Sequence, residues 1–121
     1  MTGGGPVDLA AVLRGIPQPW SPRTVATVND YDVRVARASG EFTRHSHPET
    51  DEFFLVLSGR LTIRTDDGEV HLGPGQVHVV PRGTAHQPFS AEGAEILLFE
   101  PSATVNTGDS PSELTAERRV I

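Results

Sequence analysis

The segment that decides the fold is residues 40–59, which read Gly40-Glu41-Phe42-Thr43-Arg44-His45-Ser46-His47-Pro48-Glu49-Thr50-Asp51-Glu52-Phe53-Phe54-Leu55-Val56-Leu57-Ser58-Gly59. It contains two runs of strand-forming residues, separated by a polar turn that begins at Pro48. His45 and His47 are two positions apart, so their side chains project from the same face of an extended chain. Two imidazoles on one face are suited to binding one metal ion.

Short runs rich in Val, Ile, Leu, Phe and Thr continue on both sides of this segment, from Thr24 to Phe99, and turn residues interrupt them about every ten positions. Asp66-Asp67-Gly68 is typical of a hairpin turn. Many short strands joined by tight turns favour an all-β sandwich or barrel. We expect strands near residues 24–28, 31–38, 41–46, 52–57, 60–65, 69–72, 76–80, 84–89 and 95–99.

The two ends of the chain have a different pattern. Val7 to Arg14 contains good helix formers and predicts a short helix. Three prolines between residues 17 and 22 favour an extended arm, on which Trp20 is expected to pack against the barrel or a second subunit. We therefore expect one domain over 1–121, composed of an N-terminal extension (1–22), a β-barrel (about 24–99) and a C-terminal tail (100–121).

Composition restricts the class of function. The 121 residues include 16 acidic and 10 basic side chains, for a formal charge of −6, which argues against nucleic acid as a partner. No apolar run reaches the roughly 20 residues that span a bilayer, and the N-terminus lacks the features of a signal peptide, so we expect a cytoplasmic protein with no membrane partner. Because cysteine is absent, imidazole and carboxylate groups must supply any metal ligands.

A carboxylate joins the histidine pair across the turn. Glu52 begins a run in which every second residue shares one side of the predicted strand, and this parity favours Glu52 over Asp51 and Glu49 as a ligand. Two imidazoles and one carboxylate form a facial set that leaves coordination positions open.

Three further histidines remain. His86 follows Pro81-Arg82-Gly83 and could return across the sheet as a fourth ligand. His71 and His78 have no comparable context, and we interpret them as ordinary surface or core histidines.

The order of these residues resembles the two motifs of the cupin superfamily. The first is Gly40 to His47, then four residues, Glu52, six residues and Gly59; the second is Gly75, five residues, Pro81-Arg82-Gly83, two residues, His86, three residues and Ser90. One residue fewer than usual separates Gly40 from His45, and Ser90 replaces the usual Asn. The resemblance implies a double-stranded β-helix barrel of jelly-roll type. It also implies a metal site made by His45, His47, Glu52 and His86.

The resemblance extends to a group of small stand-alone bacterial cupins labelled mannose-6-phosphate isomerase-like, a label that implies no activity. It implies one divalent transition metal per subunit, Zn, Fe, Mn, Ni or Co, and a small-molecule substrate or ligand in the barrel. Two classes of enzyme follow: an oxygenase, or an isomerase, cyclase or lyase that acts on a small oxygen-containing molecule. The alternative is a non-catalytic binding or auxiliary cupin. Glu41, Thr43 and Tyr31 are weighed as a general base, but no catalytic residue is assigned.

Two apolar runs predict that the outer face of the barrel is covered. Phe53 to Leu57 and Glu95 to Phe99 are apolar on both sides of their strands, which a strand exposed to water on one side would not need. We expect a homodimer, as in similar cupins. The alternative is that residues 1–22 cover this face within one subunit.

Overall fold

The computed structural model describes residues 4–121, which form antiparallel β-structure with one short helix. None of its helices is long and apolar enough to cross a membrane. The elements are α1 (Leu9–Arg14), β1 (Arg23–Val28), β2 (Tyr31–Glu41), β3 (Glu52–Gly59), β4 (Leu61–Thr65), β5 (Gly68–Leu72), β6 (Val77–Val80) and β7 (His86–Pro101).

The predicted helix begins two residues later than expected. The Asp8 side chain caps α1 by accepting hydrogen bonds from the backbone N–H groups of Ala10 at 3.0 Å and Ala11 at 3.4 Å. An N-cap residue has extended backbone geometry, so Val7 and Asp8 stay outside the helix.

Strand β7 organises the sheet. The strand order is β1-β2-β7-β3-β6, and β4 pairs with both β5 and β7.

We predicted two strands at 84–89 and 95–99, which is wrong, because one strand spans both and bends between them. At the bend, Gly93 has φ 99°, and its N–H donates to Ser90 Oγ at 3.1 Å. Ser90 Oγ in turn donates to the carbonyl of Arg60 at 2.7 Å, so the serine at the usual Asn position holds the bend.

The strand predicted at 41–46 is also absent. Strand β2 continues to Glu41, and the chain then follows the start of β7 without a continuous ladder. Phe42 N–H donates to the Pro88 carbonyl at 2.9 Å, and His45 and His86 exchange backbone hydrogen bonds of 2.9 and 2.8 Å. The segment is extended, so the expected orientation of its side chains is retained.

The core lies between the two halves of the folded sheet. In β3 the buried residues are Glu52, Phe54 and Val56, which matches the predicted alternation. They pack with the inward-facing residues of the other strands and with Trp20 from the N-terminal arm; the buried cluster includes Ala36, Phe42, Leu61, Ile63, Leu72, Val80, Ile96 and Leu98.

The outer face of the sheet is partly covered by the chain's own N-terminal extension. Leu13 and Ile16 form a second buried cluster with Val25 and Val35, and Leu57 and Leu97 pack against its edge. The intrachain alternative therefore accounts for part of the apolar outer face. A groove of about 230 Å³ remains, with a lining that includes Tyr31, Phe53, Val79 and Phe99, and the homodimer stays a prediction.

The C-terminal segment after β7 lies back across the barrel and contains no helix. Val120 forms a parallel bridge with Thr24, whose N–H donates to the Arg119 carbonyl at 2.7 Å. Asn106 donates to the Leu114 carbonyl at 3.0 Å and accepts from the Ala116 N–H at 3.0 Å. Polar contacts hold much of this segment, and Leu114 and Ile121 pack against the two buried clusters.

A buried ionic cluster ties this segment to the sheet. Asp32, which is 0% exposed, accepts hydrogen bonds from Arg34 Nη2 at 3.2 Å and Arg118 Nε at 2.7 Å. Arg34 Nη1 donates to Glu100 Oε2 at 2.7 Å and to the Thr104 carbonyl at 2.8 Å. We name Asp32, Arg34, Glu100 and Arg118 the ionic cluster.

A pair of glycine substitutions tests the close approach of β3 to the bend of β7. Gly59 and Gly75 have nearly the same backbone angle, φ 78° and 79°, but a Cβ on Gly59 would lie 2.2 Å from the Gly93 carbonyl oxygen, whereas a Cβ on Gly75 meets nothing within 4 Å. We expect Gly75→Ala to reduce the free energy of unfolding by about 1–2 kcal/mol for the left-handed backbone alone. Gly59→Ala should cost at least about 3 kcal/mol in urea unfolding. Equal losses would show that the bend can shift freely.

Candidate metal centre

Four buried side chains meet at one end of the barrel. His45 and His47 come from the extended segment after β2, Glu52 begins β3, and His86 begins β7. One potential ligand atom from each lies within 4.8 Å of the others. The structure therefore brings together the four residues that the sequence selected.

The individual distances centre on Glu52 Oε1. This oxygen lies 2.8 Å from His86 Nε2, 3.2 Å from His47 Nε2 and 3.9 Å from His45 Nε2. The Nε2 atoms of His45 and His47 are 3.1 Å apart. Ligand atoms bound to one ion at about 2.0–2.2 Å are separated by roughly 3.0–3.5 Å in octahedral or tetrahedral geometry. The distances of 2.8, 3.1 and 3.2 Å are near this range, and the 3.9 Å between His45 Nε2 and Glu52 Oε1 would shorten around a single ion.

Backbone carbonyls fix the orientation of two imidazoles. His45 Nδ1 is 2.8 Å from the Thr43 carbonyl oxygen, and His86 Nδ1 is 2.9 Å from the Thr84 carbonyl oxygen. A carbonyl only accepts, so each Nδ1 carries the proton, and in the neutral ring each Nε2 presents its lone pair to the cluster. Such outer hydrogen bonds are typical of metal-binding histidines.

The ligand atoms of this cluster repel one another unless a cation lies between them. With neutral imidazoles, the lone pairs of His45 and His86 face the carboxylate oxygen of Glu52, and no proton lies between them. A metal ion at the centre, or extra protons on the rings, would remove the repulsion. The donor set of three imidazoles and one carboxylate suits a divalent transition metal, so the residues fit the group that the fold implies.

The pKa shifts of His45 and Glu52 favour the protonation states that bind a metal. Burial lowers the pKa of His45 to about 4, so this ring is neutral near pH 7. Burial alone would raise the pKa of Glu52, but when the His47 and His86 rings are protonated their hydrogen bonds and charge outweigh it and lower the pKa to about 2. A neutral imidazole and an ionised carboxylate are the forms that bind metals.

The C-terminal segment supports the histidine pair from behind. Asp109 accepts hydrogen bonds from the Ser46 N–H at 2.8 Å and from Ser46 Oγ at 2.9 Å, and these bonds lower the pKa of Asp109 to about 2. Ser46 lies between His45 and His47 and points away from them, so this contact fixes the backbone that carries both rings. We predicted only a C-terminal tail here.

The rival ligands lie outside the cluster. Asp51 is exposed and accepts hydrogen bonds from the Arg82 N–H at 2.9 Å and Arg82 Nε at 3.3 Å, and Glu49 is exposed. His71 pairs with Thr62 on the surface. His78 belongs to β6 and is likewise not part of the cluster.

The side chains weighed as a general base do not face the cavity. Glu41 pairs with Arg64 at 2.7 Å, Thr43 Oγ1 lies 2.7 Å from Ser112 Oγ, and Tyr31 stacks on Phe99 at a ring distance of 4.9 Å. All three contacts involve exposed or outward-facing groups.

A narrow cavity of about 30 Å³ lies beside the cluster, with room for about two waters. His45 and Glu52 form part of its wall, and apolar side chains, including Phe42, Phe54 and Leu98, form most of the rest. Trp20 also lines it and donates from Nε1 to the Ser39 carbonyl at 2.9 Å, so the arm packs on the barrel of its own chain.

Glu100, which was not among the predicted site residues, is a second carboxyl group in the wall of this cavity. Burial and the neighbouring Glu52 carboxylate raise the pKa of Glu100 well above its usual range, against the lowering effect of Arg34. The predicted strand ended at Phe99. One more step of the alternation through Ile96 and Leu98 would have placed Glu100 on the inner face.

Comparison with known proteins agrees with the fold and the residue order. Residues 31–100 match the family described as cupin domain. The uncharacterized protein YdbB of Bacillus subtilis is 35% identical over 84 residues, 69% of this chain and 74% of that protein. A protein from Arthrobotrys oligospora that is named an oxidoreductase is 38% identical over 88 residues, 69% of this chain, which spans only 34% of its length. The crystal structure of a cupin-2 domain containing protein from Shewanella frigidimarina is 36% identical, with a TM-score of 0.76, and the match covers 78% of this chain and 93% of that one.

The family match spans more than half of the chain, and the barrel topology agrees with it. The chain belongs to the cupin family. None of these three relatives bears a mannose-6-phosphate isomerase name, so the narrower group stays a prediction.

Proposed function

We propose that His45, His47, Glu52 and His86 hold one divalent transition metal and that the protein uses it to act on a small oxygen-containing molecule. The observation that carries this proposal is the convergence of three Nε2 atoms on Glu52 Oε1 in a buried site. When bound, a metal with four protein ligands supplies Lewis acidity and, if it is iron, redox chemistry.

The space beside the ligand set determines how a small molecule would reach the metal. Glu52 and His45 face the narrow cavity, and His47 lines an open groove of about 540 Å³ that has room for a small molecule. The apolar wall around Glu52 and His45 limits the water beside the ligand set, which strengthens electrostatic contacts to a bound molecule. We favour an oxidation reaction over an isomerase, cyclase or lyase reaction, and the name of the Arthrobotrys oligospora relative supports that choice.

A non-catalytic binding cupin is the second candidate. Glu41, Thr43 and Tyr31 engage partners away from the cavity, so Glu100 is the one titratable side chain outside the ligand set among the residues that line it. A site that binds a small molecule without converting it needs no proton-transfer group.

Metal analysis and oxygen uptake separate these candidates. We expect protein purified without added metal to contain about one transition metal per chain, and iron-loaded protein to consume oxygen with a hydroxylated aromatic or enol substrate. Protein that binds metal but shows no uptake with added iron would exclude the oxygenase. Product analysis by NMR with the same substrates would then distinguish an isomerase or lyase from a binding protein.

A further inference from the structure

A turn of the C-terminal segment, residues 105–110, grips the backbone between two of the proposed metal ligands. Asp109 accepts hydrogen bonds from the Ser46 N–H at 2.8 Å and from Ser46 Oγ at 2.9 Å, and the Asp109 N–H donates to the Ser46 carbonyl at 3.0 Å. Both backbone polar groups of Ser46 are therefore bonded to one residue that is 63 positions away in the chain. We name residues 105–110 the C-terminal clamp.

Gly108 brings the C-terminal clamp into direct contact with this backbone. Its φ is 54°, and a Cβ at this position would lie 2.2 Å from the Ser46 carbonyl oxygen and 3.1 Å from His45 Cδ2. Glycine permits both this backbone angle and this close an approach. The clamp is itself anchored, since Thr107 is 0% exposed and its Oγ1 lies 2.6 Å from Thr115 Oγ1.

The His47 ring depends on this support more than the other two imidazoles do. Backbone carbonyls orient the rings of His45 and His86 through their Nδ1 atoms. Within residues 4–121, the hydrogen bonds and ion pairs of the His47 ring involve Nε2, and no protein group bonds to its Nδ1. The backbone at Ser46 must therefore direct this ring toward the other ligand atoms.

We infer that Asp109 is a positioning residue of the candidate metal centre, which holds Ser46 and thereby fixes the His45 and His47 rings in the orientation that binds one ion. This inference rests on the proposed function, because it assigns a role toward the same metal. Outer groups that orient metal ligands typically contribute about 10–100-fold to metal affinity. Coupling of this kind is reciprocal, so a bound metal in turn holds the C-terminal clamp against Ser46.

Substitutions of Asp109 test this role through metal affinity, without requiring activity. Asp109→Ala removes both side-chain acceptors, whereas Asp109→Asn keeps an oxygen that accepts from the Ser46 N–H. Wild type and variants are titrated with Co²⁺ in competition with a chelator, and the visible spectrum of the bound Co²⁺ reports the geometry of its ligands. We expect Asp109→Ala to bind Co²⁺ at least about tenfold more weakly, with an altered spectrum, and Asp109→Asn to recover most of the affinity.

Asp8→Ala is the matched control. Asp8 is also an exposed aspartate that accepts hydrogen bonds from backbone N–H groups, at 3.0 and 3.4 Å, but it caps α1 on the outer face of the sheet. The variant loses a similar set of bonds far from the ligand segment in sequence. We expect it to retain the Co²⁺ affinity and the spectrum of the wild type.

Hydrogen exchange of the wild type measures the reciprocal effect and requires no variant, so it applies even if Asp109→Ala does not fold. Zn²⁺ should slow exchange of the Asp109 N–H, which donates to the Ser46 carbonyl, by a larger factor than exchange of the Ala10 N–H, which Asp8 caps. Equal factors at the two N–H groups overturn the inference.

The outcomes separate this inference from the proposed function. Wild-type protein that binds neither Co²⁺ nor Zn²⁺ contradicts the proposed function, and the positioning role of Asp109 fails with it. Wild-type binding that Asp109→Ala retains with the same affinity and spectrum contradicts the positioning role alone. An equal loss of affinity in Asp8→Ala also overturns it, because the effect would then follow from general destabilisation.

Discussion

His47→Ala is expected to abolish stoichiometric metal binding while leaving the barrel folded. The ring contributes one of the four converging ligand atoms, with Nε2 at 3.2 Å from Glu52 Oε1. Loss of outer-shell partners alone typically weakens metal binding 10–100-fold, so loss of a ligand should weaken it by more than about 100-fold. Metal analysis after dialysis against a weak chelator measures the effect.

The matched control is His71→Ala. His71 is also an imidazole on a strand, but its side chain is 63% exposed and contacts only surface groups, Thr62 and Glu69. We expect this variant to retain the metal content of the wild type. If His47→Ala retained it as well, the four-residue ligand set would be incorrect.

Asp32→Asn is expected to cause the largest loss of stability that a single isosteric change produces in this chain. The Asp32 carboxylate is fully buried and accepts hydrogen bonds from both arginines of the ionic cluster and from Thr24 and Ser102. Asparagine keeps the shape but leaves buried Arg34 without this negative charge. Breaking a buried ion pair on one side costs about 3–5 kcal/mol, which urea unfolding measures.

The same residue predicts an acid dependence with a defined sign. Hydrogen bonds, above all from Arg118, lower the pKa of Asp32 below its ordinary value of 3.8, so the folded state binds fewer protons than the unfolded state. The stabilisation is fully present above pH 3.8 and is lost as the pH falls below it toward the folded-state pKa. In metal-free protein, the difference in unfolding free energy between wild type and Asp32→Asn should therefore shrink on acidification through this range.

Asp66→Asn is the control for that experiment. Asp66 also pairs with an arginine, Arg44, but its side chain is 86% exposed. Solvent screens such pairs, so the variant should lose less than about 1 kcal/mol. Equal losses at the two positions would contradict a structural role for the ionic cluster.

The side-chain placements that local sequence pattern predicted in the candidate site depend on local geometry. His45 and His47 share a face because the chain is extended there, and Glu52 faces inward because β3 alternates strictly. His86 was different: only the resemblance to cupin motifs placed it with the others. Its position comes from a backbone pairing with His45, 41 residues away, which no local pattern encodes.

The errors came from features that depend on distant partners. Gly93 looked like a turn, but within β7 it lets the strand bend while β2 and β3 pair with it beyond the bend. Glu100 fell in the predicted C-terminal tail, because a glutamate is seldom buried without a charged partner, and that partner, Arg34, comes from β2. The C-terminal segment was predicted only as a tail, because the individual hydrogen bonds that hold much of it leave no periodic signal.

The order in which β7 appears during synthesis affects the fate of the unfinished chain. Strand β3 ends at Gly59, but its partners, β6 and β7, begin at Val77 and His86. At about 5–20 residues per second, the ribosome needs several seconds to synthesise the intervening residues and complete β7. Until then Phe53 and Phe54 lack their partner strands, so we expect β3 to be the aggregation-prone segment of an unfinished chain.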